Sequence, residues 1–138
     1  MWLIYALLAA LFASLTAIFA KIGIKGVDSN LATAIRTVVI LILAWAIVFS
    51  RGSAGGIWQL TKQNMLFLIL SGLATGLSWI FYFKALQAGT VTQVAPIDKL
   101  SLALTIILAM VFLKEPATPK VIIGACLIIA GTLVIAIK

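Results

Sequence analysis

The chain has 138 residues, of which 64% are apolar and only 9% charged, and its formal net charge is +7. Soluble domains carry about 25% charged residues, and a small domain buries only about 60–70% of the surface it could expose, so this composition excludes a soluble globular protein and requires an apolar solvent. The basic residues sit mostly at the ends of apolar runs, where they meet lipid headgroups and set orientation, which argues against nucleic acid as a partner.

A helix crosses about 30 Å of hydrocarbon with roughly 20 residues, and five runs qualify. The first, 2–20, is closed by Lys21 and Lys25. No Lys or Arg precedes it, as a cleaved signal peptide would require, so it is read as a membrane helix. The second, 31–49, follows the N-cap candidates Asp28, Ser29 and Asn30 and is closed by Arg51. The loop 50–64 opens with Arg51 and several glycines. It then offers Ile57-Trp58-Gln59-Leu60, which reads either as a short amphipathic stretch in the headgroup layer or as a disordered loop. The third run, 65–86, carries Lys84 near its end and Gly89 as a stop signal. The fourth, 91–113, contains Pro96 and is closed by Lys114 and Glu115. The fifth, 121–137, is preceded by Thr118 and Pro119, an N-cap and an N1 proline, and closed by Lys138. The expected fold is an all-α, multi-pass membrane domain over residues 1–138, without a linker.

Five crossings place the termini on opposite faces. Arg51, Lys62, Lys114 and Lys120 then fall on the N-terminal face, and Lys21, Lys25, Lys84 and Lys138 on the other. Arg36 and Lys99 lie inside helices, nearer the second face. The positive-inside rule needs a clear excess, and this chain has almost none. Insertion in both directions with antiparallel pairing is the favoured reading. A cytoplasmic C-terminal face, set by the small bias, is the other.

Helices in lipid associate through small residues. Ala6, Ala10, Ala13, Ala17 and Ala20 form such a stripe on the first helix, Gly72 and Gly76 a pair on the third, and Gly124 and Gly131 share a face of the fifth. Each could mark a contact within the chain or between copies, and ordinary packing within the chain is the plainer reading for the first and third.

Charges within a span usually face away from lipid and mark function. Arg36 lies more than a turn into the second helix, beside Thr33 and Thr37. Pro96 lacks an N–H and tends to free the carbonyl of Thr92, and broken turns of this kind form binding sites in transporters. Asp98, Ser101 and Thr105 share one face just after it, with Lys99 rotated by about 100°. Ser71, Thr75, Ser78 and Tyr82 form a polar stripe on the third helix, with Trp79 beside it. These groups read as the lining of a cavity. The plainer readings are hydroxyls bonded to their own helix carbonyls, interfacial Trp79 and Tyr82, and snorkelling or mutually paired charges. Glu115, next to Pro116, reads as a loop residue.

The chain has no His and one Cys, Cys126, inside an apolar run. The usual nucleophile–base pairs are missing, and no Gly-Lys phosphate loop occurs. Neither an enzyme nor a metal or cofactor site is expected.

In order, Tyr82-Phe83-Lys84-Ala85-Leu86, Val94-Ala95-Pro96, Phe112-Leu113-Lys114-Glu115-Pro116 and the stretch from Gly124 to Gly131 resemble the EamA-type half-domain of the drug/metabolite transporter superfamily. Most members of that family carry two such halves, inverted relative to each other because each has five helices. The resemblance implies that one half works with a partner: itself as an antiparallel homodimer, or a homologous half. The last three helices also resemble the small multidrug resistance proteins, which implies a dimer contact at Gly124 and Gly131. Those proteins carry a coupling Glu in the first helix. The matching position is Ala13, with Ser14 beside it, so that carboxylate is absent and Asp98 is the only acid within a span.

The expected function is alternating-access transport of a small metabolite or amphipathic compound across the plasma or inner membrane. The cavity candidates are Ser14, Arg36, Ser71, Thr75, Ser78, Trp79, Tyr82, Asp98, Lys99, Ser101 and Thr105, with a lean toward anionic or zwitterionic substrates. A non-transporting membrane subunit or assembly factor is the rival reading.

Overall fold

A computed structural model describes residues 1–137; Lys138, expected to close the fifth span, lies outside them. Among the described residues there are helices and turns and no strand. Five helical segments are long and apolar enough to cross a membrane.

Helix α1 spans Trp2–Gly23 and α2 spans Ser29–Ser50. The turn between them passes through Gly26, whose φ of 72° is left-handed and favours glycine. The Asp28 carboxylate caps α2, accepting from the backbone N–H of Asn30 and Leu31 at 3.0 Å each. Such a cap stabilises a helix by about 1 kcal/mol. After α2, Gly52 turns left-handed at φ 65° and leads into a 3₁₀ turn, Ser53–Gln59. The loop is therefore a short helix, and Trp58 on it is 91% exposed.

Helix α3 runs Lys62–Ala88. It begins three residues before the apolar run because Thr61 caps it, its hydroxyl accepting from the Asn64 N–H at 3.1 Å, and Lys62-Gln63-Asn64 form a polar first turn. It ends before Gly89, as the stop signal there implies.

The fourth span, Val91–Leu113, is segmented. Helix α4 is Val91–Asp98, α5 is Leu100–Leu108, and a π-helical turn occupies Ala109–Leu113. The interruption falls at Lys99 rather than in the turn before Pro96. Pro96 is held inside α4, and its carbonyl accepts from the Lys99 N–H at 3.0 Å in a tightened turn. The π turn closes at Lys114, a non-glycine residue at φ 55°, where the Glu115 N–H reaches back to the Ala109 carbonyl at 3.3 Å. Helix α6 is Pro119–Ala136, capped by the Thr118 hydroxyl, which accepts from the Val121 N–H at 3.4 Å.

The chain divides into two compact units: residues 1–18 with 88–138, and residues 19–87. In the first, α6 packs against α4 and α5. The buried Thr132 hydroxyl donates to the Ile128 carbonyl at 2.8 Å and reaches the Pro96 carbonyl at 3.4 Å. In the second, the Lys21 ammonium donates to the Leu86 carbonyl in the last turn of α3, and the Gln87 amide donates to the Val27 carbonyl at 3.0 Å. These bonds hold the end of α1, the start of α2 and the end of α3 together.

Burial inverts the soluble pattern. Among the described residues, the buried apolar side chains are Ala17 and Ala103 in the first unit and Ala20, Ile24, Phe83 and Leu86 in the second, while Phe12, Leu73, Val111 and Phe112 are each more than 60% exposed. Exposed apolar surface on this scale marks a surface solvated by lipid or by another chain. Cys126 is also exposed, on α6.

Candidate functional site

Within residues 19–87, α2 and α3 bring one charged group against a group of rings. Trp79 and Phe83 are four residues apart on α3 and so share a face. Arg36 on α2 reaches across to them. Its guanidinium carbon lies 4.9 Å from the Trp79 ring centroid and 4.6 Å from that of Phe83. Phe83 is buried and meets Tyr82 edge-on, with ring centroids 6.3 Å apart.

Arg36 is seven residues beyond Ser29, where α2 begins, which is roughly 10 Å at 1.5 Å per residue. Phe83 and Trp79 lie about 8 and 14 Å before the end of α3 on the same rise. The guanidinium lies against both rings at that distance from the helix ends. A charge at mid-depth costs about 2.5–3.5 kcal/mol on insertion scales, and each well-placed ring face offsets about 0.5–2 kcal/mol.

Three neighbouring threonine hydroxyls bond carbonyls of their own helices. Thr33 and Thr37 donate to the Ser29 and Thr33 carbonyls at 2.8 Å each. On α3, Thr75 donates to the Ser71 carbonyl at 2.9 Å, and Ser71, Thr75 and Ser78 face outward, exposed, while Trp79 and Tyr82 are half-buried.

The remaining site residues named from the sequence belong to the other unit. Ser14 donates to the Leu11 carbonyl at 2.7 Å, and Thr105 to the Ser101 carbonyl at 2.8 Å. Asp98 and Lys99 pair with each other at 3.2 Å across the break between α4 and α5. Gly124 and Gly131 have open space where a Cβ would be added.

Two features escaped the sequence reading. One is Phe83 as the second ring under Arg36; its spacing of four from Trp79 was the available signal. The other is a groove of about 470 Å³ lined by Lys21, Ile22, Ile24, Lys25, Gly26 and Gln87, formed where α1 and α3 end, whose lysines read as charge markers alone.

A profile of the EamA-like transporter family matches residues 1–137. The chain belongs to the EamA-like transporter family, and the protein is a multi-pass membrane transporter. It is 46% identical over 136 residues to a Sinorhizobium sp protein named "Uncharacterized transporter in cobO 3'region", an alignment covering 99% of this chain and 96% of that one. It is 31% identical over 80 residues to an uncharacterized protein of Methanocaldococcus jannaschii, covering 57% of this chain and 58% of the other. No solved structure matches the chain.

Proposed function

We propose that the protein carries a small metabolite or amphipathic compound across the cell membrane by alternating access, working as two copies inserted in opposite directions. The observation that carries this reading is the odd number of spans, five, in a chain whose basic residues divide almost evenly between the two faces. An odd count lets a second, inverted copy supply a counterpart to every helix, and an even charge distribution removes the barrier to inserting both ways. The outward polar stripe of Ser71, Thr75 and Ser78 supports it, because hydroxyls at membrane depth are better placed toward a partner or a wet cavity than toward lipid tails.

In this arrangement Trp79 and Tyr82 contact apolar parts of the substrate, and Arg36, Asp98 and Lys99 meet its charges or gate its path. Gly124 and Gly131 lie between the copies. The decisive experiment places a reporter tag on one terminus and measures its accessibility from each side of intact and inverted vesicles. Accessibility from both sides supports dual insertion; accessibility from one side only overturns it. Uptake by vesicles containing this chain alone separates a homodimeric carrier from the rival, a subunit or half that needs a different partner. A chain that aggregates when purified alone favours the rival.

A further inference from the structure

We infer that Arg36 is the receptor for a monoanionic organic acid, bound through its carboxylate at membrane depth, an inference that rests on the carrier reading above and names its substrate class. The ring centroids of Trp79 and Phe83 lie 4.9 and 4.6 Å from the central carbon of the guanidinium. Its N–H donors lie along its edges, and a ring face does not satisfy them as a carboxylate would. Cation–ring contacts spread the charge without neutralising it, so a counter-charge is still wanted.

Among the described residues, no acidic side chain supplies one. It contains three acidic side chains. Asp28 is engaged at the N-terminus of α2, accepting from Asn30 and Leu31. Asp98 is paired with Lys99 at 3.2 Å. Glu115 lies beyond the π turn, outside the spans. Among the described residues, none of the three forms an ion pair with Arg36. A second copy brings only the same three acids, each with the same local engagement. A carboxylate on the carried compound would supply that charge.

The geometry also selects among anions. A planar guanidinium edge matches a carboxylate through two parallel hydrogen bonds. Among the described residues, Arg36 is the only cation over these rings. One positive charge balances a carboxylate, whereas a phosphate monoester dianion would leave a negative charge uncompensated in the same low-dielectric setting. The half-buried Trp79 and Tyr82 favour an apolar body attached to the acid.

The test uses the purified full chain in lipid nanodiscs with defined probes: benzoate and butyrate, their uncharged relative benzamide, the cation benzylamine and the dianion phenyl phosphate. Thermal stability and tryptophan fluorescence are followed as each is titrated. Benzoate and butyrate are expected to raise the melting temperature saturably and perturb tryptophan emission, and the other three to do so only at much higher concentration. Arg36→Gln is expected to weaken carboxylate binding by about tenfold or more, the loss of a charge-assisted bidentate pair. Arg36→Lys keeps the charge without the planar fork, so it is expected to weaken binding less, and it carries the test if the glutamine variant does not fold. Carboxylates that stabilise neither form, that bind both variants as tightly as the wild type, or that bind no better than benzylamine or phenyl phosphate would overturn the inference. Arg36-dependent carboxylate binding without any uptake would remove the carrier reading and leave the receptor. Uptake of cations indifferent to Arg36 would do the reverse.

Discussion

Arg36 on α2 and Phe83 on α3 form a cation–ring pair, the guanidinium carbon 4.6 Å from the ring centroid and Phe83 1% exposed. Phe83 is thus both a core residue and half of the cradle for a charge. Phe83→Ala is expected to destabilise the protein by about 3 kcal/mol or more, the usual cost of emptying a buried aromatic site. Phe83→Leu keeps most of the volume and removes the ring face, and should cost about 0.5–2 kcal/mol. Equilibrium unfolding in mixed micelles measures both, and a Phe83→Leu variant as stable as the wild type would mean that the ring face contributes nothing.

Thr132 is buried on α6, with its hydroxyl 2.8 Å from the Ile128 carbonyl and 3.4 Å from that of Pro96. Thr132→Val preserves shape and removes the donor. A loss of about 0.5–1.5 kcal/mol is expected, toward the low end because such bonds average about 0.6 kcal/mol within membranes. Thr132→Ser, which keeps the hydroxyl, should retain this part of the stability.

Asp98 is the only acid within a span. If uptake by reconstituted vesicles depends on a proton, Asp98→Asn should flatten that dependence across acidic and alkaline media. An unchanged pH profile would exclude Asp98 as the proton carrier.

Gly124 and Gly131 have nothing within 4 Å of an added Cβ. Within one copy, Gly→Ala at either site should be neutral or gain up to about 1 kcal/mol through helix propensity. In the two-copy arrangement proposed above, the same methyl would intrude on the contact. Gly131→Ala is thus expected to leave the protomer's unfolding midpoint unchanged or raised, and to shift the oligomer toward the monomer in size measurements. An oligomer unaffected by alanine at both positions would place the contact elsewhere.

The spans were legible because length and apolarity alone define them, and the capping roles of Asp28 and Thr118 followed from residue type and position. The meeting of Arg36 with Trp79 and Phe83 was not. In a soluble protein the apolar stripe of a helix says which side packs, but α2 and α3 are apolar nearly all round, so their sequences do not reveal which faces turn toward each other. The break at Lys99 was displaced from Pro96 for a local reason: the proline's effect is passed on as a tightened turn, with the Lys99 N–H bonded to the Pro96 carbonyl. The π turn over Ala109–Leu113 has no sequence signature, since its residues also suit an ordinary helix.

Cys126 is exposed on α6, two residues beyond Gly124, and it is the single thiol of the chain. The protein therefore carries its own molecular ruler. A nitroxide attached there needs no background cysteines removed, and any association of copies yields one sulfur-to-sulfur separation, readable by pulsed resonance in an otherwise native molecule.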